Sequence, residues 1–264
     1  MAKVKEIRDF FDEIAPFYMK LDFDNIGHLV GFCDAEVSRV LVALDITDEV
    51  IDEAINCGAQ LIVSHHPLIW EPLKRVTDDD SKGKKIIKMI QHGVSAICLH
   101  TNMDTAEGGV NDALMAALGA KVSGLLAPHG THPDGSEYGI ARYGELPEAV
   151  EFEAFLESTK RNLKANGLRY VASGKPVHKI ACCGGAGAGD MQRALALGCD
   201  TYVTSDIKYD HFLWAKEFGL NLIDADHFCT ENVVVPVMCE KLHSRYPEME
   251  VTISKVHHQT IQFI

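Results

Sequence analysis

Nearly uninterrupted apolar runs at 40–44, 61–63 and 94–99 alternate with segments of helical periodicity, and this rhythm restricts the fold class more than any other feature of the chain. A strand without a polar face must be buried on both sides, and a sheet covered by helices provides that environment. Helices are predicted over Asp48–Cys57, closed by Gly58, and over 84–92, closed by Gly93. The chain therefore reads as α/β, with largely parallel sheets flanked by helices. An amphipathic helix over 4–17, with Val4, Ile7, Phe11 and Ile14 on one face, precedes the first run. In the turn-rich stretch 24–31, Gly27 and Gly31 point to unusual backbone dihedrals or close approach, and His28 reads as structural. A helix over 110–118 ends at Gly119, and the same rhythm resumes with strands near 138–143, 168–172, 179–183, 201–204 and 220–223. Gly, Pro and His concentrate between 122 and 147, so this stretch is expected to cross between two lobes, 1–125 and 126–264.

The formal charge of −13 argues against nucleic acid as a main partner, because a phosphate backbone needs a basic face. No apolar segment approaches the length of a membrane span, and the opening residues Met1 to Glu6 hold no apolar signal core. The expectation is a cytoplasmic protein. Its eight cysteines lack a disulfide-scaffold or zinc-ribbon spacing and read mostly as small buried hydrophobes, the adjacent pair Cys182-Cys183 included.

Chemistry gathers where the apolar runs stop. Ligands of open parallel sheets collect beyond the carboxyl ends of the strands, and His65-His66, His100 with Asp104, and His227 with Glu231 all follow such runs. Neighbouring side chains on extended backbone diverge, so His65 and His66 suit two different ions better than one. His227 and Glu231 are spaced as neighbours on a helix face, although Pro236 warns of a kink or a later helix start. Asp45 lies on the same rim and reads either as a cap before Thr47 or as a metal ligand. His129, His132, His257 and His258 read as surface residues. The glycine-rich turn at 184–189 admits two readings, phosphate contact through exposed amides or tight strand-to-helix packing.

Collecting His65, His66, Asp104, His227 and Glu231, with His100 close by, gives three neutral imidazoles and two carboxylates with about two negative charges, so two dications would leave roughly two positive charges for hydroxide, water or substrate oxygens. Mixed nitrogen and oxygen donors suit Zn, Mn, Fe, Co or Ni without choosing among them. Asp104 and Glu231 are the natural bridging groups, and His100 could orient Asp104 from behind.

These segments resemble the Nif-three-like family, whose members are often labelled type 2 GTP cyclohydrolase homologues. The resemblance is carried by 24–31, Ser64-His65-His66-Pro67-Leu68, His100 to Asp104 with Asn111-Asp112-Ala113, the glycine-rich turn, Thr204 to Tyr209, and His227 to Glu231. It covers nearly the whole chain in family order and corresponds to the short form, without an insertion between lobes. It implies a two-lobed α/β fold with a metal site between the lobes at the strand ends, two divalent ions held by His65, His66, Asp104, His227 and Glu231, and assembly as a ring-like homohexamer. Two positions depart from the family pattern: Asp226 stands where glycine is common, and Asp210-His211 appears where histidine would come first.

The resulting expectation is a dinuclear metal-dependent hydrolase acting on a small molecule through activated water, with opening of the purine imidazole ring of GTP as the family label suggests. The alternatives are a phosphoesterase and a non-catalytic metal-binding assembly or regulatory protein.

Overall fold

The computed structural model describes residues 1–264 and divides into two compact units, Met1–Met103 with Val235–His258, and Asp104–Val234 with Gln259–Ile264. The first is built on a five-stranded sheet in the order Glu250–Ile253, Arg39–Ala43, Leu61–Ser64, Ser95–Cys98, Gly27–Val30. Its first four strands are parallel, and Gly27–Val30 closes one edge antiparallel. All residues of Leu61–Ser64 and Ser95–Cys98 are buried, as expected for strands covered on both faces. Thr47 caps helix Asp48–Cys57 by accepting from the Val50 amide at 3.2 Å, and Gly58 ends it in the left-handed conformation. Asp80 caps Ser81–Gln91 in the same way through the Gly83 amide at 2.9 Å.

The opening helix runs over Val4–Ile14, shorter than its periodicity predicts, and Phe17–Met19 continues as a separate 3₁₀ turn. Pro16 lies between them and cannot supply the amide that would continue the ladder. Phe10 joins Val4, Ile7 and Phe11 on its buried face, while Ile14 is only half-buried. Pro236 does not kink its helix, Val234–Arg245, because it sits in the first turn, where amides have no intrahelical acceptor.

The second unit is built on a six-stranded sheet in the order Arg169–Val171, Asn221–Asp224, Thr201–Thr204, Val177–Cys182, Arg142–Val150, Lys121–Leu125. Only Val177–Cys182, Thr201–Thr204 and Asn221–Asp224 run parallel; the remaining pairings are antiparallel, so this sheet is mixed rather than largely parallel. Successive residues of the central strands face opposite cores. Ile180, Cys182, Val203 and Ile223 pack with Leu114 and Phe155, whereas Ala181, Tyr202 and Leu222 pack with Met191 and Ala215.

The stretch 122–147 is therefore not a crossing. Lys121–Leu125 is the edge strand beside Arg142–Val150, and Pro128–Thr131 pairs with Glu137–Gly139 as a hairpin between them. The compact units part at 103/104 and again at 234/235 rather than at 125, because strand Glu250–Ile253 pairs with Arg39–Ala43 in the first sheet. All eight cysteines are free. Five of them, Cys98, Cys182, Cys183, Cys199 and Cys229, are buried, in keeping with a packing role, whereas Cys33 is exposed. No helix is long and apolar enough to cross a membrane.

Gly31 holds the antiparallel edge of the first sheet at φ +106°, and a Cβ there would lie 2.7 Å from the Ser95 Cβ and 2.8 Å from its Cα. Gly31→Ala combines backbone strain with a clash against main chain and is expected to cost about 3 kcal/mol in urea unfolding. Ser95→Gly in the same background should recover part of that loss.

Candidate metal centre

In the first unit, three histidines leave the ends of adjacent parallel strands. His65 and His66 follow Leu61–Ser64, and His100 follows Ser95–Cys98. Their ring centroids lie 5.1, 5.2 and 5.6 Å apart, and one ring nitrogen from each falls within 4.8 Å of the others. His65 is fully buried, with Nδ1 2.8 Å from the Leu99 carbonyl oxygen. A carbonyl only accepts, so Nδ1 carries the proton and the ring's lone pair is on Nε2. Carboxylates do the same for the other two rings. Asp45 Oδ1 accepts from His66 Nδ1 at 2.7 Å, and Asp24 Oδ1 accepts from His100 Nδ1 at 2.9 Å.

Asp24 is itself locked. It accepts from the Thr101 amide at 3.0 Å and from the Thr101 hydroxyl. Burial works to raise its pKa, but the bond and charge of His100, with the two donations from Thr101, outweigh it and hold the carboxyl below its ordinary value. Asp45 thus has a role other than the two anticipated: Thr47 is the helix cap, and Asp45 fixes a histidine ring. His100 likewise spends its Nδ1 on Asp24 rather than on Asp104.

The second unit gathers the acidic donors. Helix His227–Glu231 presents both ends on one face, with His227 Nε2 3.0 Å from Glu231 Oε2. A carboxylate oxygen of Asp104 lies within 4.8 Å of one of Glu231. His227 Nδ1 is held at 2.7 Å by Asp206 Oδ2. Burial opposes charge on His227, but the bond and charge of Glu231, followed by those of Asp206, raise its pKa to about 9. In the metal-free chain a proton thus balances Glu231, whose residue is 3% exposed.

In the glycine-rich turn, three amides serve the packing of the second reading. The Gly184 amide donates to Asn111 Oδ1 at 2.8 Å, the Gly185 amide to Thr230 Oγ1 at 3.0 Å, and the Gly187 amide to Thr204 Oγ1 at 2.9 Å. Those three amides are committed within the protein. What requires glycine is the carboxylate: a Cβ on Gly185, which has φ +63°, would lie 2.2 Å from Glu231 Oε1 and 3.1 Å from His227 Nε2. Asn111 uses its other end to donate to the Asp104 carbonyl at 3.0 Å, tying the Asp104 segment to this turn.

Two aspartates beside these donors adopt positive φ, Asp206 at 55° and Asp226 at 70°. Such geometry is costly for a residue with a Cβ and persists where surrounding contacts impose it. At Asp226 it accounts for the glycine common in the family. The aspartate at this position caps helix His227–Glu231 by accepting from the Cys229 amide at 3.3 Å. His211 is half-buried on helix Tyr209–Phe218. His129 and His132 flank Tyr138 edge-on in the hairpin, and His257 Nδ1 is 2.8 Å from the Ser254 carbonyl oxygen.

The donors fit divalent cations. Every candidate imidazole has Nδ1 tied to an acceptor, which orients the ring and leaves Nε2 as the atom that could ligate once it carries no proton. The neighbouring Cys183 thiol is buried, and burial followed by the charge of Asp104 pushes it well above its ordinary value. An all nitrogen and oxygen set matches Zn, Mn, Fe, Co or Ni in a reactive rather than a closed structural site.

Comparison with known proteins identifies relatives along the whole chain. A Clostridium perfringens protein named "GTP cyclohydrolase 1 type 2 homolog" is 35% identical over 264 residues, covering 99% of this chain and 100% of that protein. A Clostridium acetobutylicum protein of the same name is 35% identical over 250 residues, covering 94% and 92%. The crystal structure of a Bacillus cereus protein related to NIF3 superposes with a TM-score of 0.92 at 26% identity, covering 100% of this chain and 99% of that one. Residues 2–260 match the family described as Duf34/NIF3 (NGG1p interacting factor 3), and the chain belongs to that family.

Proposed function

We propose that this protein is a metal-dependent hydrolase whose His65, His66, Asp104, His227 and Glu231 hold two divalent ions. The observation that carries this reading is the uniform treatment of the imidazoles. Asp45 holds His66 at Nδ1, Asp206 holds His227, and the Leu99 carbonyl holds His65. Nδ1 of His92, His257 and His258 also meets a backbone carbonyl, so what marks His66 and His227 is a carboxylate partner, which a ligating histidine uses to set its tautomer and direction. Bound divalent ions supply Lewis acidity toward an electrophilic centre and a source of nucleophilic hydroxide near neutral pH.

The chain's own residues prepare that chemistry. Asp45 and Asp206 fix the orientation of their histidine rings through Nδ1. Gly185 leaves room for Glu231, and Asn111 holds the Asp104 backbone in place. To hold a cation beside Glu231, His227 would have to give up the proton that Glu231 and Asp206 stabilise on it. The names of the relatives suggest GTP as substrate; one water would open its purine imidazole ring to a formamide, and a second would release formate.

Purified protein is expected to carry divalent metal by elemental analysis, and His66→Ala and Glu231→Gln should each lose metal together with any hydrolysis of GTP to formate. Full turnover by a metal-stripped variant would rule out the reading. A metal-loaded protein inert toward nucleotides and phosphoesters would favour a non-catalytic metal-binding role. Asp45→Asn and Asp206→Asn should weaken metal binding by roughly 10- to 100-fold in competition with a chelator while the circular dichroism spectrum stays unchanged. Gly185→Ala, which drives a methyl group into Glu231, should lose more metal than either.

A further inference from the structure

Beside the three-histidine group lie two substantially exposed aromatic side chains that touch each other. Trp70 is 44% exposed and Phe23 is 63% exposed. Their rings lie 5.7 Å apart, and Trp70 meets His100 edge-on at 5.3 Å. Neither is displayed by a loose loop. The residues preceding Trp70, Leu68 and Ile69, pack against the core of the first unit, and the Ile69 carbonyl accepts from Asn25 Nδ2 at 2.6 Å. The residue after Phe23 is Asp24, fixed by His100 and Thr101, and the Asp24 carbonyl accepts from Lys20 Nζ at 2.9 Å. The bonds that orient His100 therefore also anchor the residue next to Phe23.

We propose that Trp70 and Phe23 form a stacking platform that binds the planar heteroaromatic ring of a small-molecule substrate beside the histidine group. The proposal rests on the reading of that group as part of a hydrolytic metal site and adds residues that select the substrate. Exposed aromatic faces held rigidly take a conjugated ring at low entropic cost, and ring-on-ring contact tolerates different ring substituents. The platform thus recognises the shape of the ring, while other groups choose among rings.

The chain has two tryptophans, Trp70 and Trp214, so Trp214→Phe leaves Trp70 as the sole indole reporter. In metal-loaded Trp214→Phe protein, GTP and ATP should quench the emission saturably, and inorganic tripolyphosphate should not. By equilibrium dialysis, Trp70→Ala should weaken GTP binding about ten-fold with metal content unchanged, and Trp70→Phe should stay within about three-fold of wild type. Absence of saturable quenching, equal quenching by tripolyphosphate, or unchanged GTP binding by Trp70→Ala would overturn the platform. So would a Trp70→Ala variant whose only change is a smaller sedimenting species, which would make this face a contact between copies. Failure of the underlying metal reading gives a different pattern, in which the chain quenches saturably but carries no metal.

Discussion

The site depends on one repeated interaction, an acceptor placed against the Nδ1 of an imidazole. A histidine at a strand end has two tautomers and a rotating ring, and either freedom would blunt it as a ligand. Asp45, Asp24, Asp206 and the Leu99 carbonyl remove both freedoms. The parallel sheet makes this economical. Adjacent strands end at the same level, so Asp45 after one strand meets His66 after the next, and the carbonyl of Leu99 at the end of a third meets His65.

The carboxylate side is organised by exclusion of volume. Glu231 is almost fully buried, and the space it occupies is the space a side chain on Gly185 would take. Amide donation from the turn to Asn111, Thr204 and Thr230 fixes the glycines against the ligand helix. The positive φ of Asp226 sets the start of that helix, so backbone strain concentrates beside the donors rather than in the core.

Much of this was legible in the sequence. Apolar runs ending in histidine or acid placed His65, His66, His100, Asp104, His227 and Glu231 on strand ends or just beyond them, and helix Asp48–Cys57 and its glycine stop were readable from periodicity and capping. Other features were hidden for physical reasons. The holding role of Asp45 depends on a neighbour 21 residues away across two strands, so its local context suggested only a cap or a ligand. Asp24, within the turn-rich stretch 24–31, and Asp206, just past a strand, gave no local sign of such a role for the same reason. The signal that could have found them is the need of each ligating histidine for a second partner, with an acid near a neighbouring strand end as the first candidate. The glycine-rich turn was ambiguous because small residues serve both phosphate binding and close packing, and only the destinations of its amides separate the two. The lobe boundary was misplaced because turn residues at 122–147 mark a hairpin within one sheet as readily as a linker between two.

The central claim is that these five side chains bind ions through the atoms their partners leave to them. Diffraction from crystals of metal-loaded protein, recorded at the absorption edge of the bound metal, tests it most directly. The account predicts two anomalous peaks per chain, bonded to Nε2 of His65, His66 and His227 and to carboxylate oxygens of Asp104 and Glu231, at about 2.0–2.2 Å if the metal is zinc. Peaks at cysteine sulfur, at Nδ1, or away from these residues would contradict it.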